Sequence, residues 1–253
     1  MILPVNAEIS GWRVASYLGS DTFGAAYVVK KGNEFGRLKL VNSDVNPAFD
    51  YTQLEGFSSD RLPKLYAAGI YADQSYSITS FVPAAVPLSS MGTIPTIKVL
   101  EIINKVAILL TMLHDSGVAH ENIQLDSIFW DGESVFLFDF GRISGVTVTQ
   151  KNTLWPSEFI GLPDLLETTE DFMRADIACL GATLYYLLVG VPVGNLRKTF
   201  RPLPESFYDN VGPNLAASIQ DLLNKSLRWL PEDRVDIIGF RFYLGNILRK
   251  LAN

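Results

Sequence analysis

Sulfur and imidazole are scarce in this chain. Cys179 is the single cysteine among 253 residues, so neither an internal disulfide nor a cysteine-rich zinc site can form. It lies in an apolar helical run, where a plain buried thiol is expected, and a reducing compartment suits it. The only two histidines, His114 and His120, have no cysteine or acidic cluster of ligand spacing beside them. That favours structural roles over a metal site. Basic runs are missing as well. With 21 Lys and Arg against 27 Asp and Glu, the net charge of −6 argues against a nucleic-acid or anionic-membrane surface.

Long apolar runs are equally rare. Met1-Ile2-Leu3-Pro4 lacks the basic flank and apolar stretch of a secretory signal, so none is expected. The segment from Ala178 to Val193 is interrupted by Gly181, Gly190 and Pro192, and falls short of the roughly 20 apolar residues of a spanning helix. A buried core helix is the expectation. The chain reads as cytoplasmic, or as the cytosolic part of a longer or tethered protein, with no membrane contact of its own.

What is present is an apolar fraction of 48%, enough for a well-packed globular core. Residues 11–41 alternate as strands do, over Trp12–Leu18, Ala25–Val29 and Arg37–Val41, with a turn at Lys31-Gly32-Asn33. A short helix is expected near Pro47–Phe57, then strands near Leu65–Tyr71 and Tyr76–Val82. Pro83 to Pro95 holds three prolines in thirteen residues and reads as a connector. Beyond it, Leu100, Ile103, Ala107, Leu110 and Leu113 fall at helical spacing over about five turns. Leu215, Ile219, Leu222 and Leu223 do the same, as do Ile237, Phe240, Leu244, Ile247, Leu248 and Leu251. Strands first and helices later predict an α+β chain: a small antiparallel β-rich lobe over 1–82, a connector over 83–96 and a larger helical lobe over 97–253.

Several motifs occur in a fixed order. Leu18-Gly19-Ser20-Asp21-Thr22-Phe23-Gly24 is a glycine-bearing turn, which alone could be an ordinary hairpin. Lys39 follows Gly24 by fifteen residues, in Gly36-Arg37-Leu38-Lys39, where it could equally be a surface lysine. Then come His120-Glu121-Asn122-Ile123-Gln124-Leu125-Asp126-Ser127, Asp139-Phe140-Gly141, Trp155-Pro156-Ser157-Glu158, Asp176 in Ala-Asp-Ile-Ala-Cys-Leu-Gly, and Arg234 in Leu-Pro-Glu-Asp-Arg. Taken together, this order resembles that of eukaryotic-type Ser/Thr protein kinases, over about residues 12 to 250.

The resemblance implies a two-lobed kinase-like fold, and it assigns roles by position. Gly19, Gly24, Lys39 and Asp139 are where that family holds the nucleotide phosphates and magnesium. Asn122 stands in place of the proton-accepting aspartate, Gln124 in place of the phosphate-steadying lysine, and Ser127 in place of a metal-binding asparagine. Asp21 puts a carboxylate at the tip of the glycine loop. Arg37 replaces the small residue that roofs the adenine, on the same strand face as Lys39. The acidic partner of Lys39 is either Asp50 or Glu55. Glu121 replaces the arginine that receives a phosphorylated activation loop, and Thr147, Thr149 and Thr153 lie in the short segment that follows Gly141.

Scaffold positions are kept: His120 and Phe140 in the apolar spine, Glu158 with Arg234 as a buried pair, and Asp176 holding the catalytic-loop backbone. The expectation is a pseudokinase that works as a protein-interaction or regulatory scaffold, with protein partners, no resident cofactor, and weak ATP–magnesium binding at most. The alternatives are a nucleotide-binding switch and a residually active Ser/Thr kinase. An amide cannot act as a general base near neutral pH, and such a base contributes roughly 10² to 10⁴ in rate.

Overall fold

The computed structural model describes residues 2–20, 24–41, 51–57, 59–141, 166, 168–197 and 200–252. By its contacts the chain divides into two units. The first runs to Val86 and also takes in Phe140 and Gly141; the second holds Pro87–Asp139 and the described residues from 166 onward.

The first unit is built on an antiparallel sheet of β1 (Glu8–Ile9), β2 (Trp12–Ser20), β3 (Gly24–Lys31), β4 (Glu34–Val41), β5 (Leu65–Tyr71) and β6 (Gln74–Ser80). Their spatial order is β1-β2-β3-β4-β6-β5. Alternation turns one face inward, and Trp12, Val14, Tyr27, Val29, Leu38 and Ile78 form its core. Trp12 stacks on Tyr66 with ring centroids 5.0 Å apart.

The residues ahead of Trp12 carry no strand signal, yet they close this core. Leu3 and Ile9 are buried in it. The Leu3 amide donates to the Tyr27 hydroxyl at 3.1 Å, the Asn6 amide to the Val14 carbonyl at 2.8 Å, and the Val14 amide to the Ala7 carbonyl at 2.9 Å. Of the helix expected over 47–57, the described part is a single 3-10 turn at Tyr51–Leu54.

The second unit begins with a 3-10 turn at Leu88–Ser90 and α1 (Thr96–Asp115). Leu100, Ile103, Ala107, Leu110 and Leu113 are all buried. Each fully buried Leu or Ile contributes roughly 1.5–3 kcal/mol relative to exposure. The helix stops in a Schellman motif. Gly117 adopts φ +76°, its amide donates to the His114 carbonyl, and the Val118 amide donates to the Leu113 carbonyl, both at 3.0 Å. That turn delivers the chain to residues 118–127.

Two three-residue strands follow, β8 (Ile128–Trp130) paired with β9 (Val135–Leu137). Their turn is fixed by Asp131, whose carboxylate accepts from the Glu133 and Ser134 amides at 2.9 and 2.6 Å. Those amides hold its pKa below the ordinary value. The short β7 (Val86–Pro87) lies at the unit boundary.

α2 (Thr169–Val189) starts from a capping box. The Thr168 hydroxyl accepts from the Asp171 amide, and the Asp171 carboxylate accepts from the Thr168 amide. By length and composition alone this helix could cross a membrane; here 56% of its most apolar window is buried in the protein, as in a core helix. Left-handed Gly190 ends it. α3 (Glu205–Val211), α4 (Pro213–Ser226) and α5 (Ile237–Ala252) complete the unit, with α5 packed on α1 and α4.

Candidate functional site

The Schellman turn after α1 and the third turn of α2 bring two sets of side chains to the segment 118–127. The first set centres on Asp176, which is 1% exposed. Its Oδ2 accepts from the His120 amide at 2.7 Å and stands 3.0 Å from His114 Nε2; its Oδ1 accepts from the Glu121 amide at 2.9 Å. One carboxylate thus ties α2, the end of α1 and the loop backbone together. His120 is fully buried beside it. Burial lowers the imidazole pKa to about 4, against the opposing pull of Asp176 and Asp139. The ring is therefore neutral at pH 7, and its Nδ1 accepts from the Asn122 amide at 3.2 Å.

The second set contains no charge. Asn122 Nδ2 donates to the Asp139 carbonyl at 2.8 Å, and Asn122 Oδ1 accepts from Gln124 Nε2 at 3.0 Å. The buried Ser127 hydroxyl accepts from the Gln124 amide at 3.0 Å. It also shares its proton between the Asn122 and Gln124 carbonyls, at 2.7 and 3.0 Å. Positions 122, 124 and 127, which stand in place of the family's catalytic residues, are thus bonded to one another. Both ends of the Asn122 amide are engaged, the oxygen within the loop and the nitrogen at the Asp139 carbonyl.

Backbone strain lies on either side. Glu121 has φ 64° and Asp139 has φ 57°, left-handed conformations that cost a side-chain-bearing residue roughly 1–2 kcal/mol. Asp176 holds the first through the Glu121 amide, and Asn122 holds the second through the Asp139 carbonyl. Such outliers persist only where the surroundings over-determine them. Asp126, the spare carboxylate of the loop, is exposed and accepts from the Ser89 hydroxyl.

In the first unit, Arg37 and Lys39 are half-buried on one face of β4, opposite buried Leu38 and Leu40. Arg37 is in register with Val28 and Thr79, Lys39 with Ala26 and Ser77. Gly19 has φ +152° and faces open space, a conformation that favours glycine. At Gly24 an added Cβ would lie 1.8 Å from the Leu40 carbonyl oxygen, so close strand approach alone demands glycine there. Phe140 is buried, its ring centroid 6.4 Å from that of Tyr51. Glu55 is exposed. Asp21, Asp50, Glu158, Thr147, Thr149 and Thr153 lie outside the described residues.

Arg234 is 2% exposed and donates to three carbonyls: Arg228 at 2.6 Å, Arg174 at 3.1 Å and Trp229 at 2.5 Å. Arg174 returns a bond to the Arg234 carbonyl. Burial lowers the Arg234 pKa to about 10, which leaves it cationic at neutral pH.

The kinase fold implies a nucleotide–magnesium complex. Ser127 does not fit as a metal ligand, because its hydroxyl is buried and spent on loop backbone. Among the described residues, no group of three or more His, Cys, Asp or Glu is placed to hold a metal. Sequence reasoning missed the mutual bonding of residues 122, 124 and 127. The signal was present in kind: each replacement both donates and accepts, unlike Asp or Lys.

No family model matches the chain. Among curated proteins it is similar to a probable serine/threonine-protein kinase of Clostridium perfringens, 23% identical over 83% of this chain and 34% of that protein. It is also similar to the probable serine/threonine-protein kinase 2 of Plasmodium falciparum, 23% identical over 91% of this chain and 49% of that one. The chain therefore spans about a third to a half of the length of these relatives.

Solved structures agree on architecture. The PknI kinase domain of Mycobacterium tuberculosis superposes with a TM-score of 0.70 at 19% identity, covering 97% of this chain and 100% of that one. The apo form of PpkA-294 gives 0.71 at 18%, covering 98% and 99%. The chain has the α+β, two-lobed fold of the protein kinase superfamily.

Proposed function

We propose that this chain is a pseudokinase, a kinase-fold domain that binds protein partners in place of transferring phosphate. The observation that carries the reading is the state of Asn122. The residue in the proton acceptor's place is an amide whose oxygen is bonded inside the loop and whose nitrogen is bonded to the Asp139 carbonyl. It has no carboxylate to take a hydroxyl proton, and reaching a substrate would break two bonds. The similarity to serine/threonine kinases supports the fold and the ancestry of the loop, while fold alone assigns no activity. Cytoplasmic residence and regulation through protein contacts belong to the same proposal.

The test is phosphotransfer from radiolabelled ATP to the domain itself and to a generic protein substrate, with Mg²⁺ or Mn²⁺. No transfer above that of an Asp139→Ala control is expected. Turnover that this control abolishes would refute the reading.

A second reading keeps ATP as a signal. Half-buried Lys39 and the retained Asp139 favour it. Ligand at a hundred times its Kd stabilises the folded state by about 2.7 kcal/mol. A melting shift with millimolar ATP that Lys39→Ala removes would support the switch, and its absence supports the nucleotide-free scaffold.

A further inference from the structure

The first unit carries a basic cleft that the kinase resemblance does not use. It lies between the segment before β2 and the β3–β4 turn, encloses about 420 Å³, and is lined by Asn6, Gly11, Arg13, Lys30, Lys31 and Gly32. Three cations around one cleft are unexpected in a chain of net charge −6.

Their arrangement is costly without a counter-charge. Arg13 and Lys30 are direct partners across the β2–β3 pair, so their side chains share one sheet face. Like charges at such a position destabilise a sheet. Lys31 brings a third charge from the next position. Its Nζ lies 3.8 Å from where a Cβ on Gly11 would stand, and it forms no ion pair among the described residues. Left-handed Asn6, Gly11 and Gly32, with φ of 71°, 78° and 61°, bend the backbone around the opening.

Compensation inside the protein is weak. Glu8 stands 3.7 Å from Arg13 Nε, with both side chains more than half exposed, a pair of little energetic consequence. Lys30 lies over the Phe35 ring, 5.4 Å from its centroid. Glu34 stands directly opposite Lys31 across the β3–β4 pair, so three positive charges against two carboxylates leave the cleft with an excess of one.

We propose that this cleft binds a phosphate-class anion. A guanidinium fork beside two ammonium groups matches a tetrahedral oxyanion, with bidentate and point-charge donors together. A bound phosphate would neutralise the excess and relieve the Arg13–Lys30 repulsion. The site is separate from the glycine loop. Arg13–Lys30 and Ser20–Ala25 are the two end rungs of the β2–β3 ladder, roughly 20 Å apart at strand rise. The proposal holds whether or not the domain transfers phosphate. The phosphate is either free or carried by a phosphorylated peptide.

The experiment titrates the purified domain at fixed ionic strength with inorganic phosphate, pyrophosphate, a phosphoserine peptide and its unphosphorylated form. Binding is read by calorimetry and by thermal shift. The expected result is saturable binding of a phosphate-bearing probe, weakened at least tenfold in the Lys30→Gln/Lys31→Gln double variant. Lys39→Gln keeps the affinity. Tighter binding of the phosphopeptide than of free phosphate would identify a modified protein segment as the ligand, and the reverse a small anion.

Two results would overturn the proposal. One is equal binding in the double variant. The other is loss in Lys39→Gln with retention in the double variant, which would move the anion to the glycine loop. Circular dichroism of both variants separates lost binding from lost fold.

Discussion

Two neighbouring parts of the second unit hold their backbone by opposite means. Around Asp176 the loop is anchored by a buried carboxylate that accepts two amides and contacts His114. Around Asn122, one to six residues further on, the anchoring is done by neutral amides and a hydroxyl that satisfy one another. In the protein kinases that the sequence resembles, this second part carries charge, because it handles phosphate and protons. Here charge is kept at Asp176, while positions 122, 124 and 127 carry neutral polar side chains. A buried charge is stable only where it is fully bonded; polar neutral residues that satisfy one another hold a loop at lower electrostatic cost.

The contrast is broken most severely at Asp176. Asp176→Ala would remove the acceptor of the buried His120 amide and the half-buried Glu121 amide and the partner of His114, so a loss of about 3–5 kcal/mol is expected. Urea unfolding checks it, and a loss under 1 kcal/mol would show that the carboxylate is not the anchor.

Acid tests the same part without mutation. His120 titrates near 4 in the folded protein and near 6.5 when unfolded. The unfolded state therefore binds the extra proton between those values. Stability from this group is complete above pH 6.5 and is lost as pH falls towards 4, by about 3 kcal/mol. Asp176, Asp139 and His114 act on the same imidazole. Unfolding series at pH 7 and pH 4.5, on the wild type and on His120→Phe, isolate the contribution. The variant should lose most of this slope.

The neutral part predicts a reversal that fails. Asn122→Asp restores the carboxylate of the kinase pattern but removes the donor to the Asp139 carbonyl and sets two acceptors face to face. A cost of about 1–3 kcal/mol at pH 7.5 is expected. It should shrink as pH falls, because a protonated Asp can donate that bond again. A variant as stable as the wild type at pH 7.5 would mean that the amide bond seen here contributes nothing.

Much of this was legible beforehand, and the exceptions are instructive. Period-two alternation located β2, β3 and β4, and period-3.6 spacing located α1, α4 and α5, because one face of each is buried in the core of its own unit. The lacing of Leu3, Asn6 and Ala7 onto Tyr27 and Val14 was invisible, since backbone bonds to a distant strand leave no periodicity in eight residues. The β8–β9 hairpin was also passed over, although Asp131-Gly132 between apolar runs is a turn signal. At the site, the order of motifs pointed to residues 122, 124 and 127 singly. Their mutual bonding depends on a backbone that folds back within six residues, a property of the loop's turns and not of any side-chain pattern.

The smallest effect sharpens how far the neutral part acts as a unit. Gln124 is half-buried, and its side chain contributes one bond, to Asn122 Oδ1. Gln124→Ala should therefore cost about 0.5–1.5 kcal/mol. In a double-mutant cycle with Asn122→Ala the two losses should not add, because the bond they share is counted in each single variant. A coupling of zero would mean that Asn122 holds the Asp139 carbonyl without help from its neighbour. The neutral part would then reduce to a single amide, with Ser127 acting on the loop backbone alone.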